Sequence, residues 1–187
     1  MDIQLIYDSV EIGFTNLASW EGNYQDLDNI AKEMLDESCP IIENRAAWKL
    51  IKSTVTDTDI NEIEKLTGKE FPDSYKLFLK YKHFYKLYYY PHPQDVCFFK
   101  HPIHGWKKEF ITFYSYDWVK QLLLTNGFIP FASHEDWGII CFDTNRNVET
   151  KNYPIVMFDQ DSIYDKPLSY QEFGANFIDM LKMKCMA

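Results

Sequence analysis

Glycine is scarce in this chain, 7 among 187 residues, and no stretch rich in glycine, proline and serine separates one part from another. A flexible linker, a repeat array and a low-complexity tract are thereby excluded, so a single domain is expected. Also missing is any uncharged apolar run approaching the roughly 18 to 20 residues that cross a bilayer. The N-terminal MDIQLIYDSVEIGF carries Asp2 where a secretory leader needs positive charge, so the expected location is the cytoplasm. Basic residues are outnumbered, 19 against 28 acidic, for a formal net charge of −9. Such a surface repels phosphate backbones and anionic headgroups and attracts a basic partner, which argues against nucleic-acid or membrane binding. Cysteines number four, Cys39, Cys97, Cys141 and Cys185, with no C-x-x-C pair. Their wide spacing suggests reduced thiols rather than a disulfide framework.

Apolar and aromatic residues are plentiful, 46% and 17% of the chain, enough for a packed core. The first 20 or so residues show no clear period and are expected to add a strand at an edge. Leu27, Ile30, Ala31, Met34 and Leu35 recur at helical spacing and predict an amphipathic helix over 25–38, ending before Pro40. Ala47, Trp48 and Ile51 extend that spacing through 43–52. In TVTDTDINEIEKLTG, Thr56 and Asp59 fit a capping box, Ile60, Ile63 and Leu66 form a stripe, and Gly68 supplies a left-handed stop. Pro72 then suits the first turn of a second helix, on which Phe71, Tyr75, Phe78 and Leu79 make one face. This predicts a helix-turn-helix hairpin with Phe71 under the joint and Asp73, Lys76 and Lys80 facing water. Its acids, Asp57, Asp59, Glu62, Glu64, Glu70 and Asp73, are the wrong charge for DNA.

The second half reads as short β-rich runs at 96–99, 109–115, 128–133, 138–144 and 153–159. A helix is expected between the second and third, from Asp117 to Gly127. Ser169 and Glu172 fit another capping box, with Tyr170, Phe173, Phe177, Ile178 and Leu181 along one face of a last helix. The class is α+β: a largely antiparallel sheet flanked by helices.

The run from the helix through T-G to K-E-F-P-D-S-Y-K-L-F-L resembles the N-terminal signature of the SUKH superfamily, of the Smi/Knr type, E-x-x-L-G-x-x-L-P-x-x-Y-x-x-F-L. Glu62 or Glu64, Leu66, Gly68, Phe71, Pro72, Tyr75, Phe78 and Leu79 hold the matching places. FIPFASHEDWGIICFDT at 128–144 resembles the superfamily's I-P-F-A-x-D-G-x-G-D, and YPIVMFDQDS its following strand. Two places differ: KHFYKLYYYP stands where N-G-G is usual, and Trp137-Gly138-Ile139 where G-D is usual. The resemblance covers about 45–183 and implies a SUKH-like domain at 45–187, with residues 1–44 as an extension carrying one amphipathic helix packed on it. It also implies a non-catalytic role. Many bacterial members are immunity proteins that bind the C-terminal domain of a polymorphic or contact-dependent toxin, often a nuclease, and fungal members regulate cell-wall assembly.

The residues themselves show no catalytic constellation: no Gly-rich phosphate loop, no G-x-S-x-G and no H-E-x-x-H. No cofactor is implied. His92, Cys97, His101 and His104 are zinc-ligand types within 13 residues, but no C-x-x-C or distal pair completes them. Surface histidines and a core thiol are expected there instead. Asp143, Asp159 and Asp161 would be the carboxylates of a metal-dependent hydrolase, the least favoured reading, yet strand-end acids at turns are commonplace. For a partner-binding face the chain offers Glu135, Asp136 and Trp137 in one loop. Asp143, Asp159, Asp161, Tyr164 and Asp165 stand at or after strand ends. An aromatic anchor ringed by acids suits a basic protein partner. The expected oligomeric state is a monomer or weak homodimer.

Overall fold

Thr56 Oγ1 accepts the N–H of Asp59 at 3.2 Å while Asp59 Oδ2 accepts the N–H of Thr56 at 3.0 Å, the reciprocal box that starts a helix at Asp57. The computed structural model describes residues 3–89, 96–134, 138–161, 163–164 and 167–185. Among them are five α-helices: α1 Ile3–Ser19, α2 Asp57–Thr67, α3 Asp73–Tyr81, α4 Trp106–Ser115 and α5 Phe177–Cys185. The strands are β1 Tyr24–Asp26, β2 Arg45–Ala47, β3 Ile51–Lys52, β4 Lys82–His83, β5 Tyr88–Tyr89, β6 Val96–Phe98, β7 Phe128–His134, β8 Gly138–Asp143, β9 Ile155–Asp159 and β10 Gln171–Gly174. Strands β5 to β10 pair antiparallel in sequence order as one six-stranded meander, and β1–β2 and β3–β4 form separate ribbons. The α+β class and the single domain read from the sequence are what the structure has.

The hairpin of α2 and α3 is present. Gly68 adopts φ +69° after α2, and Pro72 directly precedes α3. Phe71, Tyr75, Phe78 and Leu79 are buried, and the Tyr75 ring meets those of Phe71, Phe131, Phe142 and Phe177 at centroid distances of 5.3 to 5.5 Å. One sheet face thus closes on α1, α3 and α5. Two details differ from expectation: Leu66 is exposed, and Lys76 and Lys80 lie partly covered against Glu64 and Asp57.

Five stretches correct the sequence reading. Residues 3–19 are helical, not a strand; the buried positions Ile6, Ser9, Val10, Gly13 and Leu17 do carry a helical period. Two of them are Ser and Gly, which a count of hydrophobic residues misses. A Cβ on Gly13 would stand 3.1 Å from Leu87 and 3.3 Å from the Tyr88 carbonyl, so α1 lies tight against β5. Neither 25–38 nor 43–52 is a helix. Glu43 and Asn44 have φ of +48° and +63°, and Ile42 and Arg45 exchange backbone hydrogen bonds, so a two-residue turn joins the β2 side to an extended return. Only short 3-10 turns at Leu27–Asn29 and Lys32–Met34 remain of the first.

The run 109–115 lies in α4 rather than a strand, because Trp106, Phe110 and Tyr114 recur every four residues on its buried side. That period outweighs the β preference of its aromatics. Ser169 and Glu172 cap nothing: Gln171–Gly174 pairs with β9, and α5 is capped by Asn176 and Asp179, whose N–H donates to Asn176 Oδ1 at 2.9 Å. The segment before β7 is a π turn, Val119–Leu123, then a 3-10 turn ended by Gly127 at φ +81°.

Candidate functional site

Strand β9 ends in Asp159, paired in register with Gly138 of β8. A Cβ on Gly138 would sit 2.8 Å from the Phe158 carbonyl, so the two strands approach closely where β8 begins. The chain turns at once: Asp159 Oδ1 accepts the N–H of Asp161 at 2.8 Å, the side-chain-to-backbone bond typical of Asp in turns. Asp159 and Asp161 are both exposed at this turn, and so is Tyr164, at 66%.

Beneath lies a cavity of about 470 Å³ whose walls include Trp118, Ser133, Ile139, Asp161, Ile163 and Tyr164. Its floor is the outer face of the sheet. Phe128, Cys141, Val156 and Phe158 form a small core there with Leu123 and Ile163, and Trp118 packs against it. The Trp118 ring is further held edge-on to Phe113 at 5.9 Å. The result is an apolar groove, rigid below and acidic at its lip, which suits an apolar anchor from a partner that carries positive charge around it.

Asp143 is not brought to this groove. It ends β8 at the other extremity, five residues from Gly138, or about 17 Å at strand rise. Only 2% of Asp143 is exposed. Its Oδ1 accepts from the Asn145 N–H at 3.1 Å and its Oδ2 from Arg146 Nε at 2.5 Å. Arg146 in turn donates to both carboxylate oxygens of Glu172 at 2.9 and 3.2 Å. These bonds raise the Arg146 pKa further above its already high value, with that to Glu172 the largest cause. The acid therefore ties the β8–β9 turn to β10. Glu135, Asp136, Trp137 and Asp165 lie outside the described residues.

The groove walls Trp118, Ser133 and Ile163 were not singled out in the sequence. Trp118 carried a signal, an aromatic that breaks the polar side of 117–127, whereas Ser133 and Ile163 carry none until the strands are registered.

The candidate zinc ligands do not converge. His101 is buried, contrary to the surface position expected, and it stacks on buried His83 at a centroid distance of 4.8 Å. Cys97 is half-buried on the outer sheet face, His104 is exposed beside Glu33, and His92 lies outside the described residues. Among the described residues no three of His, Cys, Asp and Glu are placed to hold a metal ion, and no helix is long and apolar enough to cross a membrane.

Comparison with protein families finds that the model of the SMI1/KNR4 family (SUKH-1) matches residues 54–183, from just before α2 into α5. Among curated proteins nothing matches the chain.

Proposed function

We start from the premise that this chain belongs to the SMI1/KNR4 family (SUKH-1), and we propose that it is an immunity protein that neutralises a polymorphic or contact-dependent toxin by direct binding. As a SUKH-type protein it is non-catalytic. The toxin's C-terminal domain is the partner, most naturally a nuclease, because an enzyme that holds a phosphate backbone is basic. The observation that carries this reading is the apolar groove at Trp118, Ile139 and Tyr164 with Asp161 on its wall, Asp159 two residues before it and opposite Gly138, on a chain of net charge −9. Apolar walls give area that is desolvated on contact, and the acids steer and orient a basic partner. The action takes place in the cytoplasm, where such a toxin would act.

The test is co-expression with the toxin encoded beside this gene, with cell survival and pull-down of the toxin's C-terminal domain as readouts. Rescue together with binding is expected. A folded protein that neither binds nor rescues would overturn the proposal and favour the regulatory scaffold, the role of the fungal members of the family.

A further inference from the structure

A second cavity, about 640 Å³, lies between the residues before the family-matched region and the β5–β6 end of the sheet. Its volume falls in the range of small-molecule sites. Trp20, Tyr24 and Tyr88 contribute rings to its walls, and Arg45, Lys86 and Lys100 contribute cations. This concentration is unexpected on a chain with nine more acids than bases.

The walls are set in place by local structure. Trp20 follows α1 and is 50% exposed, and its ring lies across Gly22, where a Cβ would meet it at 2.7 Å. Glu21 and Glu43 also line the cavity, each at positive φ, +60° and +48°. Such backbone is strained for a non-glycine residue and persists where the surroundings impose it. Arg45 reaches across the β1–β2 ribbon, where one terminal nitrogen donates to the Tyr24 carbonyl at 2.8 Å. The Lys86 ammonium lies 4.5 Å from the centre of the Tyr88 ring. Lys86, Cys97 and Lys100 all line the cavity; burial pushes the Cys97 thiol up, and Lys86 and Lys100 act on it in the opposite sense.

Among the described residues none of the three cations forms an ion pair. Lys76, Lys80, Lys107, Arg146 and Lys151 each meet a carboxylate, so the three cations of the cavity differ from these in keeping their charge available to a ligand. Three cations against the carboxylates of Glu21 and Glu43 leave the walls with a surplus of one positive charge, and with three rings beside them they are complementary to an anion that carries a planar group. A phosphate is held by ammonium and guanidinium donors, and a base gains from stacking on aromatic faces.

We propose that this cavity binds a mononucleotide, with the base against the Trp20, Tyr24 and Tyr88 rings and the phosphate on Arg45, Lys86 and Lys100. The site is distinct from the groove at Trp118, although Cys97 of one and Ser133 of the other are paired neighbours on the sheet. It goes beyond the toxin-binding reading and does not depend on it.

Isothermal titration of the full chain with AMP, GMP, CMP and UMP tests it, with inorganic phosphate and adenosine as controls. At least one mononucleotide should bind with a Kd of about 1 mM or tighter, and each control should bind at least tenfold more weakly, as expected if ring and charge both contribute (about tenfold per 1.4 kcal/mol). Lys86→Ala with Lys100→Ala should weaken binding about tenfold or more while circular dichroism and melting stay unchanged. Tyr88→Phe should retain it. Asp159→Asn with Asp161→Asn should leave the titration as it is, so the nucleotide and toxin readings fail separately. Absence of binding by all four nucleotides overturns the proposal, as does phosphate binding as tightly as they do. Full affinity in the folded double-lysine variant overturns it too.

Discussion

The Glu64 carboxylate accepts the backbone N–H of Phe71 at 2.6 Å, across the joint between α2 and α3. The same oxygen receives Lys76 Nζ at 2.8 Å. Phe71 is buried and its N–H belongs to the three-residue turn, where no helical carbonyl reaches it, so a side chain must supply the acceptor. Of the two glutamates that fit the family signature, Glu64 is the one that does this; Glu62 is exposed and pairs with Lys107.

Glu64→Ala should therefore destabilise the fold by about 2 to 3 kcal/mol, the cost of leaving a buried donor unmet and losing a charged acceptor. Glu64→Gln, which keeps an oxygen in place, should cost less than half of that. Urea denaturation measures both, and equal losses would show that the Phe71 bond contributes nothing.

Gly68 stands at φ +69° with nothing within 4 Å of where a Cβ would be. Any substitution penalty there is conformational, not steric crowding. Gly68→Val should cost about 1 to 2 kcal/mol and Gly68→Asn clearly less, since Asn tolerates the left-handed region. Comparable melting shifts for the two variants would contradict a left-handed turn.

His83 and His101 provide a pH test. His83 Nε2 accepts the N–H of Thr54 at 3.0 Å, so its proton sits on Nδ1, which donates to the His101 carbonyl at 3.0 Å and faces His101 Nδ1 at 3.2 Å. His101 then carries its proton on Nε2, which has no hydrogen-bond partner among the described residues. Burial, with repulsion from His83, lowers the His101 pKa to about 3, and burial is the largest cause of the lower value at His83. Between about pH 3 and the ordinary value of 6.5, the unfolded chain binds protons that the folded chain refuses, so stability falls as pH falls. From pH 7.5 to 5.5, where carboxylates remain ionised, His101 alone should account for a loss of about 1.4 kcal/mol. Urea denaturation at the two pH values should show this drop in the parent and a smaller one in His101→Phe. An unchanged drop in that variant would place the titration elsewhere.

Asp143 and the pair Asp159/Asp161 should behave oppositely. Asp143→Asn removes a buried partner of Arg146 and should lower stability by about 1 to 3 kcal/mol. Asp159→Asn with Asp161→Asn, both on the surface, should leave melting within about 0.5 kcal/mol of the parent. It should slow association with the toxin domain and flatten its salt dependence. Stopped-flow association at several ionic strengths separates the cases, and salt dependence unchanged in the surface variant would remove these acids from the binding face.

Sequence alone determined the α2–α3 hairpin, three central strands and the family, because each is marked by signals within a few residues: Thr56 with Asp59, Gly68 after a stripe, and the short β-rich runs at 128–133, 138–144 and 153–159. Tertiary structure decided the rest. Residues 3–19 are a helix whose Gly13 lets it approach β5, and 106–115 is one because Trp106, Phe110 and Tyr114 find a core on one side. Glu172 caps no helix because Arg146, 26 residues away, holds it on an edge strand. Both cavities depend on strand register, which sets Ser133 beside Cys97 and Gly138 beside Asp159. Local signals fix an element when its partners are near in sequence; when the deciding contact is distant, burial and pairing free energy outweigh propensity, and only the folded chain shows which contact that is.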